Sequence, residues 1–303
     1  MLRAILVPLD GSPLAEQALP VAARLARATD AALHLVHVHS PASPNPISIE
    51  GMPVVDDQMR SLAAEHERVY LERAAATLAA ELKPICTRLE GPIVQTLTSY
   101  ARDIRAGLIV MTSHGRSGFA HLWLGSVAEG IARVSGTPLL LLRPGADGQL
   151  VDRPFRRVLV PLDGSPLAEE ILPHAQALAG VDGGTLELLR VVATLPVPES
   201  MPFHERFRLD ARAVAAERAE AERYLQELVA RLGASARAQV IEADQPARAI
   251  LDTANSLNVD LVAVTTHGRS AVRSVALSSV TDKVLRAVHV PLLILRPGQQ
   301  HSD

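Results

Sequence analysis

The chain contains two copies of one long segment. VPLDGSPLAEQALP at residues 7–20 returns 153 residues later as VPLDGSPLAEEILP, with two of its fourteen positions changed. TSHGRSG at 112–118 and TPLLLLRPG at 137–145 return at the same offset, as TTHGRSA and VPLLILRPG. Three separate segments keep one offset, and that offset is close to the size of a complete domain. The sequence therefore predicts a duplicated domain and not a solenoid of short repeats.

The boundary between the copies is predicted where Pro, Gly and Asp interrupt the apolar pattern, in RPGADGQLVDRPF. We predict a first domain over 1–145, a linker over 146–154, a second domain over 155–298 and a tail over 299–303. A chain of 303 residues is long enough for two ordinary domains. Its 48% of hydrophobic residues against 21% charged predicts that both are globular.

Charge and hydropathy exclude several classes of partner. A formal net charge of −3 leaves no basic excess for the phosphate backbone of a nucleic acid. No apolar run approaches the roughly 18–20 residues that a membrane span needs, and the N-terminus reaches Asp10 before a signal peptide could be completed. We therefore expect a cytoplasmic protein that binds neither nucleic acid nor membrane. Its one cysteine, Cys86, cannot form an internal disulfide and is expected to be a buried thiol.

Each half alternates strand and helix in the order βαβαβαβαβ. RAILVPL at 3–9 is a short apolar run, typical of a strand buried on both faces of a parallel sheet. The segment after it has helical spacing behind Ser12, a candidate N-cap, and 57–83 is predicted as one long amphipathic helix. Such alternation predicts an α/β fold with two tandem, doubly wound, parallel sheets of five strands. Ligands of these sheets bind beyond the carboxyl ends of the strands, where the winding direction reverses.

Polar residues follow two of the predicted strands at their carboxyl ends. The first strand ends at Asp10, and the fourth ends at Thr112 and is followed by a helix that begins at Gly125 and Ser126. The free amides and the positive dipole end of such a helix form an anion site. Asp10 suits ribose hydroxyls or a cation better than phosphate oxygens, while the alternative is a turn that caps the next helix.

Motifs of other nucleotide-binding and hydrolytic families are missing from the sequence. It contains no G-x-x-x-x-G-K-[ST], no G-x-G-x-x-G after the first strand, no H-E-x-x-H and no G-x-S-x-G. Dedicated hydrolase and dehydrogenase chemistries therefore have no support in the sequence.

ILVPLDGS, TSHGRSGFAHLWLGSVAEGIAR and TPLLLLR, in that order, resemble the ATP-binding branch of the universal stress protein family. The resemblance covers both halves. It implies an adenine nucleotide α-hydrolase-like fold with strand order 3-2-1-4-5, in which strands 1 and 4 are neighbours. It also implies ATP as the ligand, with either Mg²⁺ or Mn²⁺ as an accompanying ion.

The family's phosphate signature is Gly, two residues, Gly, nine residues, Gly, then Ser or Thr. In the first half Gly115, Gly125 and Ser126 match this signature, and Thr112 replaces the first glycine. Resemblance therefore implies a phosphate site in the first half that keeps the last two glycines and the hydroxyl.

The second half departs further from the phosphate signature. Gly268 and Ser279 match it, but Thr265 replaces the first glycine and Ser278 the last. If that last position required a positive φ, a serine there would be strained by roughly 1 kcal/mol, and its side chain would crowd the phosphates. We therefore predict that the first half binds ATP more tightly than the second.

The resemblance implies a nucleotide-contacting set in each half, with the ribose near the aspartates and adenine beside the valines that end the second strands. In the first half the set is Pro8, Asp10, Val38, Met111, Thr112, His114, Gly115, Arg116, Gly125, Ser126 and Val127. In the second half it is Pro161, Asp163, Val191, Val264, Thr265, Gly268, Arg269, Ser278, Ser279 and Val280. No residue is predicted to be catalytic, because no general base is evident, so ATP hydrolysis is expected to be slow or absent.

Two functions from different classes stay open at this point. The first is a nucleotide-dependent regulator of the stress response. The second is a dimerising scaffold of the same fold that binds no nucleotide. Single-domain members of the family commonly pair, so the resemblance implies that a tandem chain is an intramolecular pseudo-dimer with contact through PLLLLR and PLLILR. Further pairing into a homodimer is left open.

Overall fold

The structure is a computed structural model that divides the chain into two compact units, Met1–Asp152 and Arg153–Asp303. Residues described by the structure are 2–40, 48–49, 52–53, 57–113, 125–145, 147–193, 203–266 and 279–297. No helix among these residues is both long and apolar enough to cross a membrane. Part of the predicted linker packs on the first unit, since the Gln17 amide donates to Gly148 O at 3.0 Å and Arg24 pairs with Asp152 at 3.0 Å.

The first unit contains a parallel sheet in the order β5-β2-β1-β6-β7 and a separate two-stranded hairpin, β3-β4. The strands are β1 (Ala4–Pro8), β2 (Ala32–His39), β3 (Ser48–Ile49), β4 (Met52–Pro53), β5 (Ile85–Glu90), β6 (Leu108–Thr112) and β7 (Leu139–Leu142). The helices are α1 (Pro13–Glu16), α2 (Ala18–Thr29), α3 (Asp57–Ala76), α4 (Ile93–Asp103) and α5 (Ser126–Val134). Without the hairpin, which the sequence did not predict, the strand order is the expected 3-2-1-4-5.

The second unit repeats this topology, with a parallel sheet in the order β10-β9-β8-β11-β12. Its strands are β8 (Arg157–Pro161), β9 (Thr185–Ala193), β10 (Ala236–Ala243), β11 (Leu261–Thr265) and β12 (Leu292–Leu295). Its helices are α6 (Pro166–Glu169), α7 (Leu172–Val181), α8 (Phe203–Leu232), α9 (Pro246–Ser256) and α10 (Ser279–Ala287). The predicted fold class, two tandem α/β domains with parallel sheets, is therefore confirmed.

Helices cover both faces of the first sheet. Side chains alternate between faces along a strand, so His34 and His37 of β2 point to opposite sides. Tyr100 of α4 bonds to His34, with the hydroxyl 3.0 Å from Nδ1, whereas Tyr70 of α3 packs against His37, with ring centroids 6.1 Å apart. Helices α3 and α4 thus lie on opposite faces of the sheet, as the doubly wound prediction requires.

The segment predicted as the first helix forms two helices, α1 and α2, which are separated at Gln17. Proline has no amide hydrogen, and its ring clashes with the carbonyl four residues earlier. Pro20 therefore cannot lie in the interior of one continuous helix, although it fits the first turn of α2. The long helix predicted over 57–83 is also shorter than expected, because α3 ends at Ala76 and a 3₁₀ turn follows at Ala80–Leu82.

The prediction that Cys86 is buried is wrong, since this residue is exposed. Cys86 lies on β5, which pairs only with β2 in the sheet of the first unit. Both Ile85 and Cys86 are exposed at the start of this strand. The apolar start of ICTRLE predicts a strand, but sequence alone does not show that the strand lies at the edge of the unit's sheet.

Gly184, just before β9, gives a stability prediction for the second unit. A Cβ atom at this position would lie 2.3 Å from Phe155 O and 2.7 Å from Arg156 Cα, so backbone would have to move. We expect Gly184→Ala to lower the free energy of unfolding by about 1–3 kcal/mol. The matched control is Gly180→Ala in α7, where a Cβ meets nothing within 4 Å and the higher helix propensity of alanine should stabilise the helix. Urea unfolding of the full chain compares them, and equal midpoints would contradict the prediction.

Candidate functional site

A cavity of about 490 Å³ opens in the first unit at the carboxyl ends of β1, β2 and β6. The first turn of α5 and the start of α4 complete its walls. Strands β1 and β6 are hydrogen-bonded neighbours, with Ile5 in register with Leu108. The segments that follow these two strands therefore begin side by side at the same edge of the sheet. The cavity lies where the sequence predicted a ligand, at the point where the winding direction reverses.

The segment after β1 is a tight turn that caps α1. Asp10 Oδ1 accepts hydrogen bonds from the backbone amide of Ser12 at 2.9 Å and from its hydroxyl at 2.6 Å. Ser12 Oγ in turn accepts a bond from the Ala15 amide at 3.1 Å. Gly11 permits this turn because its φ of 84° lies in the region that favours glycine. The turn interpretation of Asp10 is therefore correct, and Asp10 lines the cavity as well.

The N-terminal end of α5 faces the cavity. Its N-cap Gly125 and its first residues, Ser126, Val127 and Ala128, all contribute to the cavity wall. The Gly125 amide donates to Ser113 O at 2.8 Å, which ties the helix start to the end of β6. Amides in the first turn of a helix have no partner within the helix, and the dipole makes this end positive. The arrangement can therefore hold an anionic group.

The structure corrects one argument about the difference between the two halves. Gly125 has φ −55° and ψ 149°. These angles are close to those of polyproline II, which residues with a side chain adopt without strain. The condition of a positive φ is not met, so a serine at this position would not be strained by its backbone. Of the two arguments against Ser278, only the crowding of phosphates by its side chain still stands.

One carboxylate and two imidazoles, from Glu67, His37 and His39, form a further wall of the cavity. Glu67 of α3 accepts a hydrogen bond from His39 Nδ1 at 2.7 Å on Oε1 and one from Arg88 Nε at 2.7 Å on Oε2. His37 Nε2 lies 3.6 Å from Glu67 Oε1, and His37 Nδ1 lies 2.9 Å from Leu9 O. We call His37, His39, Glu67 and Arg88 the Glu67 cluster. It connects α3 to the ends of β1, β2 and β5.

Glu67 is ionised over a wide pH range within this cluster. Partial burial by itself raises the pKa of its carboxyl, but the hydrogen bonds from His39 and Arg88 outweigh burial, so the pKa lies below the usual value. Sequence analysis did not identify these residues, because Glu67 follows His39 by 28 positions. The one available signal was the alternation of histidines in LHLVHVHS, which puts His37 and His39 on one face of an otherwise apolar strand.

The turn after β8 in the second unit copies the turn after β1. Asp163 Oδ1 accepts from the Ser165 amide at 2.9 Å and from its hydroxyl at 2.6 Å, and Ser165 Oγ caps α6 through the Ala168 amide at 3.2 Å. Gly164 has the corresponding positive φ of 76°. The duplicated sequence thus produces the same local geometry twice.

The structure gathers the described site residues of the first half around one cavity. The cavity is lined by the predicted residues Pro8, Asp10, Val38, Met111, Thr112, Gly125, Ser126 and Val127. Three further predicted residues, His114, Gly115 and Arg116, lie outside the described residues.

In the second unit the predicted residues lie at strand ends and at a helix start. Pro161 ends β8, Val191 lies near the end of β9, Val264 and Thr265 end β11, and Ser279 and Val280 begin α10, while Asp163 forms the turn described above. The predicted residues Gly268, Arg269 and Ser278 lie outside the described residues.

Comparison with known proteins identifies the family. The model of the "Universal stress protein family" matches residues 1–143 and 154–296. A universal stress protein of Mycolicibacterium smegmatis is 27% identical over 300 residues, covering 97% of each chain. Universal stress protein Rv1996 of Mycobacterium tuberculosis is 28% identical over 325 residues, covering 97% of this chain and 95% of its own.

A solved structure shows the same fold over the length of the chain. The crystal structure of a universal stress protein from Archaeoglobus fulgidus superposes with a TM-score of 0.64 at 22% identity, covering 97% of this chain and 98% of that one. With the family model matching both halves, this chain belongs to the universal stress protein family and carries two of its domains in tandem.

Proposed function

We propose that the first unit binds ATP in its cavity and that the chain is a nucleotide-dependent regulator of the stress response with slow or no ATP hydrolysis. One observation carries the proposal: the positive end of α5 and the Asp10 turn line the same cavity. A nucleotide needs an anion site and a ribose site a short distance apart, and these two elements supply them.

The chemistry of the remaining walls fits a nucleoside triphosphate. The cavity volume of about 490 Å³ lies in the range of roughly 300–1,000 Å³ common for small-molecule sites. Apolar side chains suited to the faces of a base come from the end of β2, from α4 and from β6; they are Val36, Val38, Ile93, Leu97 and Met111. The phosphates would lie at Gly125 and Ser126, and the ribose at Asp10.

A divalent ion, Mg²⁺ or Mn²⁺, would share its ligands with the nucleotide. Such ions are usually held by one or two carboxylates together with substrate phosphates and water, and Asp10 is the carboxylate nearest the proposed ribose site. Among the described residues, no group of three His, Cys, Asp or Glu side chains could hold a metal without such help. The ion would neutralise part of the charge of the phosphates.

Slow hydrolysis agrees with how the acidic groups of the cavity are engaged. The carboxylates that line it among the described residues are Asp10 and Glu67. Asp10 accepts two hydrogen bonds from Ser12, and Glu67 accepts bonds from His39 and Arg88. The bonds to Glu67 outweigh its burial and hold its pKa below the usual value, which makes this carboxylate a weak base toward an attacking water. The bonds from Ser12 occupy Asp10 Oδ1.

Native mass spectrometry of the purified, undialysed protein tests the proposal by counting adenine nucleotides per chain. Gly125→Asp places a negative charge at the start of α5, so we expect ATP to bind at least tenfold more weakly, equal to about 1.4 kcal/mol. The control Gln149→Glu adds the same charge at an exposed position outside the cavity lining and should bind ATP like the parent protein. If millimolar ATP with Mg²⁺ added no mass to the parent protein, the proposal would be overturned in favour of the dimerising scaffold.

Exchanging one residue between the halves tests whether the two sites are unequal. Gly125→Ser gives the first half the residue of the second, and the backbone at φ −55° accepts it without strain. We expect unchanged stability but weaker ATP binding in the first unit, because the side chain crowds the phosphates. Ser278→Gly should strengthen the second site, and calorimetric titration measures both. Equal affinities of the two sites in the parent protein, or a preference for the second, would contradict the prediction.

A further inference from the structure

His37 connects three elements around the proposed nucleotide site. Its Nδ1 lies 2.9 Å from Leu9 O, the carbonyl directly before Asp10. Its Nε2 lies 3.6 Å from Glu67 Oε1, and its ring packs edge-on against Tyr70, with both partners on α3. Only 10% of the His37 side chain is exposed, and the residue lines the cavity. His37 is thus placed to hold the end of β1 and to link it to α3.

The hydrogen-bond partners of His37 determine which nitrogen carries the proton. A carbonyl oxygen only accepts, so Nδ1 must donate to Leu9 O. In the neutral ring Nε2 then has no hydrogen and its lone pair faces the Glu67 carboxylate, which also only accepts. Protonation puts a hydrogen on Nε2 and a positive charge on the ring, and the repulsive approach becomes an ion-pair contact at 3.6 Å. The link between β2 and α3 is therefore stronger when His37 is protonated.

Charged and titratable groups approach His37 from each neighbouring element. Arg88 is in register with His37 on the adjacent strand, and it pairs with Glu67 as well. Burial, followed by the nearby Glu16 carboxylate, raises the pKa of the Tyr70 phenol, so Tyr70 stays neutral. Among the described residues, the charged and titratable groups around His37 and its ring partner Tyr70 are Asp10 after β1, Glu16 on α1, His39 on β2, Glu67 on α3 and Arg88 on β5. Of these, His39 is the other imidazole.

The second unit has a permanent cation at the corresponding position. Arg190 follows His37 at the 153-residue offset of the repeat, and its side chain is likewise only 11% exposed. Its Nη1 donates to Leu162 O, the carbonyl before Asp163, at 3.4 Å, and its Nη2 lies 3.8 Å from Glu217 on α8. The contacts of His37 thus recur with a group that does not lose its proton. Val192 occupies the position that corresponds to His39.

We propose that His37 is a positioning residue of the first nucleotide site and that its protonation strengthens nucleotide binding there. The inference rests on the proposed function. Protonated His37 adds one positive charge to the cavity wall and fastens α3 to the strand end that carries Asp10. An anionic nucleotide therefore binds the protonated form better, and affinity rises as a lower pH increases the fraction of the protein that is protonated at His37. Glu67 stays ionised in this range, because its pKa lies below the usual value.

The test is ATP binding to the full chain between about pH 8 and about pH 5, the range in which imidazoles change charge. For the first site of the parent protein we expect at least about a fivefold gain in affinity toward the acidic end, within the span of ordinary coupling between two binding events. His37→Arg copies the second unit and should bind ATP tightly with a much flatter pH profile. Protonation of ATP itself is common to both proteins, so the difference between their profiles belongs to residue 37.

His39→Val, which also copies the second unit, removes the other imidazole of the Glu67 cluster and shows how much of the pH dependence belongs to it. The matched control is His66→Gln, at an exposed position of α3 outside the cavity lining, which should keep the pH profile of the parent protein. His37→Leu removes both contacts and should weaken binding at every pH, and its circular dichroism spectrum shows whether the fold is kept. If His37 had only a structural role, neither a lower pH nor the arginine of His37→Arg would strengthen ATP binding. Tight ATP binding by His37→Arg with a flat pH profile therefore supports a positioning role.

Four results would overturn the inference. Identical pH profiles of the parent protein and His37→Arg would show that His37 does not couple to binding. Loss of the pH dependence in His39→Val would assign the effect to His39. Failure of the parent protein to bind ATP at any pH would overturn the proposed function and this inference with it, whereas tight binding with the same profile in all variants would overturn the inference alone.

Discussion

The pairing of β1 with β6 is the constraint from which the site follows. The register pair of Ile5 with Leu108 joins residues that are 103 positions apart in the sequence, so this contact is not a local one. Their neighbouring carboxyl ends put the Asp10 turn and the start of α5 on one cavity. Both strands are apolar and mostly buried, so the polar groups extend from the packed core of the unit.

The Glu67 cluster extends this base to the long helix α3. Glu67 reaches His39 on β2 and Arg88 on β5 with bonds of 2.7 Å each, so one carboxylate ties α3 to two strands. Partly buried charges persist only where they are paired and hydrogen-bonded, and each charge of this cluster has such a partner. The cluster therefore serves two purposes at once: it fixes α3 on the sheet, and it sets the charge along one side of the cavity.

Much of the fold could be predicted from the sequence, because apolar runs and helical spacing are local signals. The break at Gln17 could have been predicted as well, since Pro20 excludes a continuous helix. Two other errors arose from tertiary structure. Whether Cys86 is covered depends on the position of β5 at the edge of its unit's sheet, and the φ of Gly125 depends on how the end of β6 meets α5.

The candidate site was predictable in part for the same reason. Asp10 and Gly125 belong to segments whose order along the chain carries the family resemblance, and both line the cavity. Glu67 belongs to no such segment, and only the packing of α3 against β2 brings it to His39. Its role could not be separated in the sequence from that of the other acidic residues on the solvated face of the helix.

The duplication has a consequence for how this protein can evolve. In a homodimer of single-domain chains, one codon specifies both sites, so every mutation appears twice. In the tandem chain the codons for His37 and Arg190 are separate, and each can change while the other is kept. Gene fusion therefore allows one copy to acquire a new sensitivity while selection on the other maintains the ancestral behaviour.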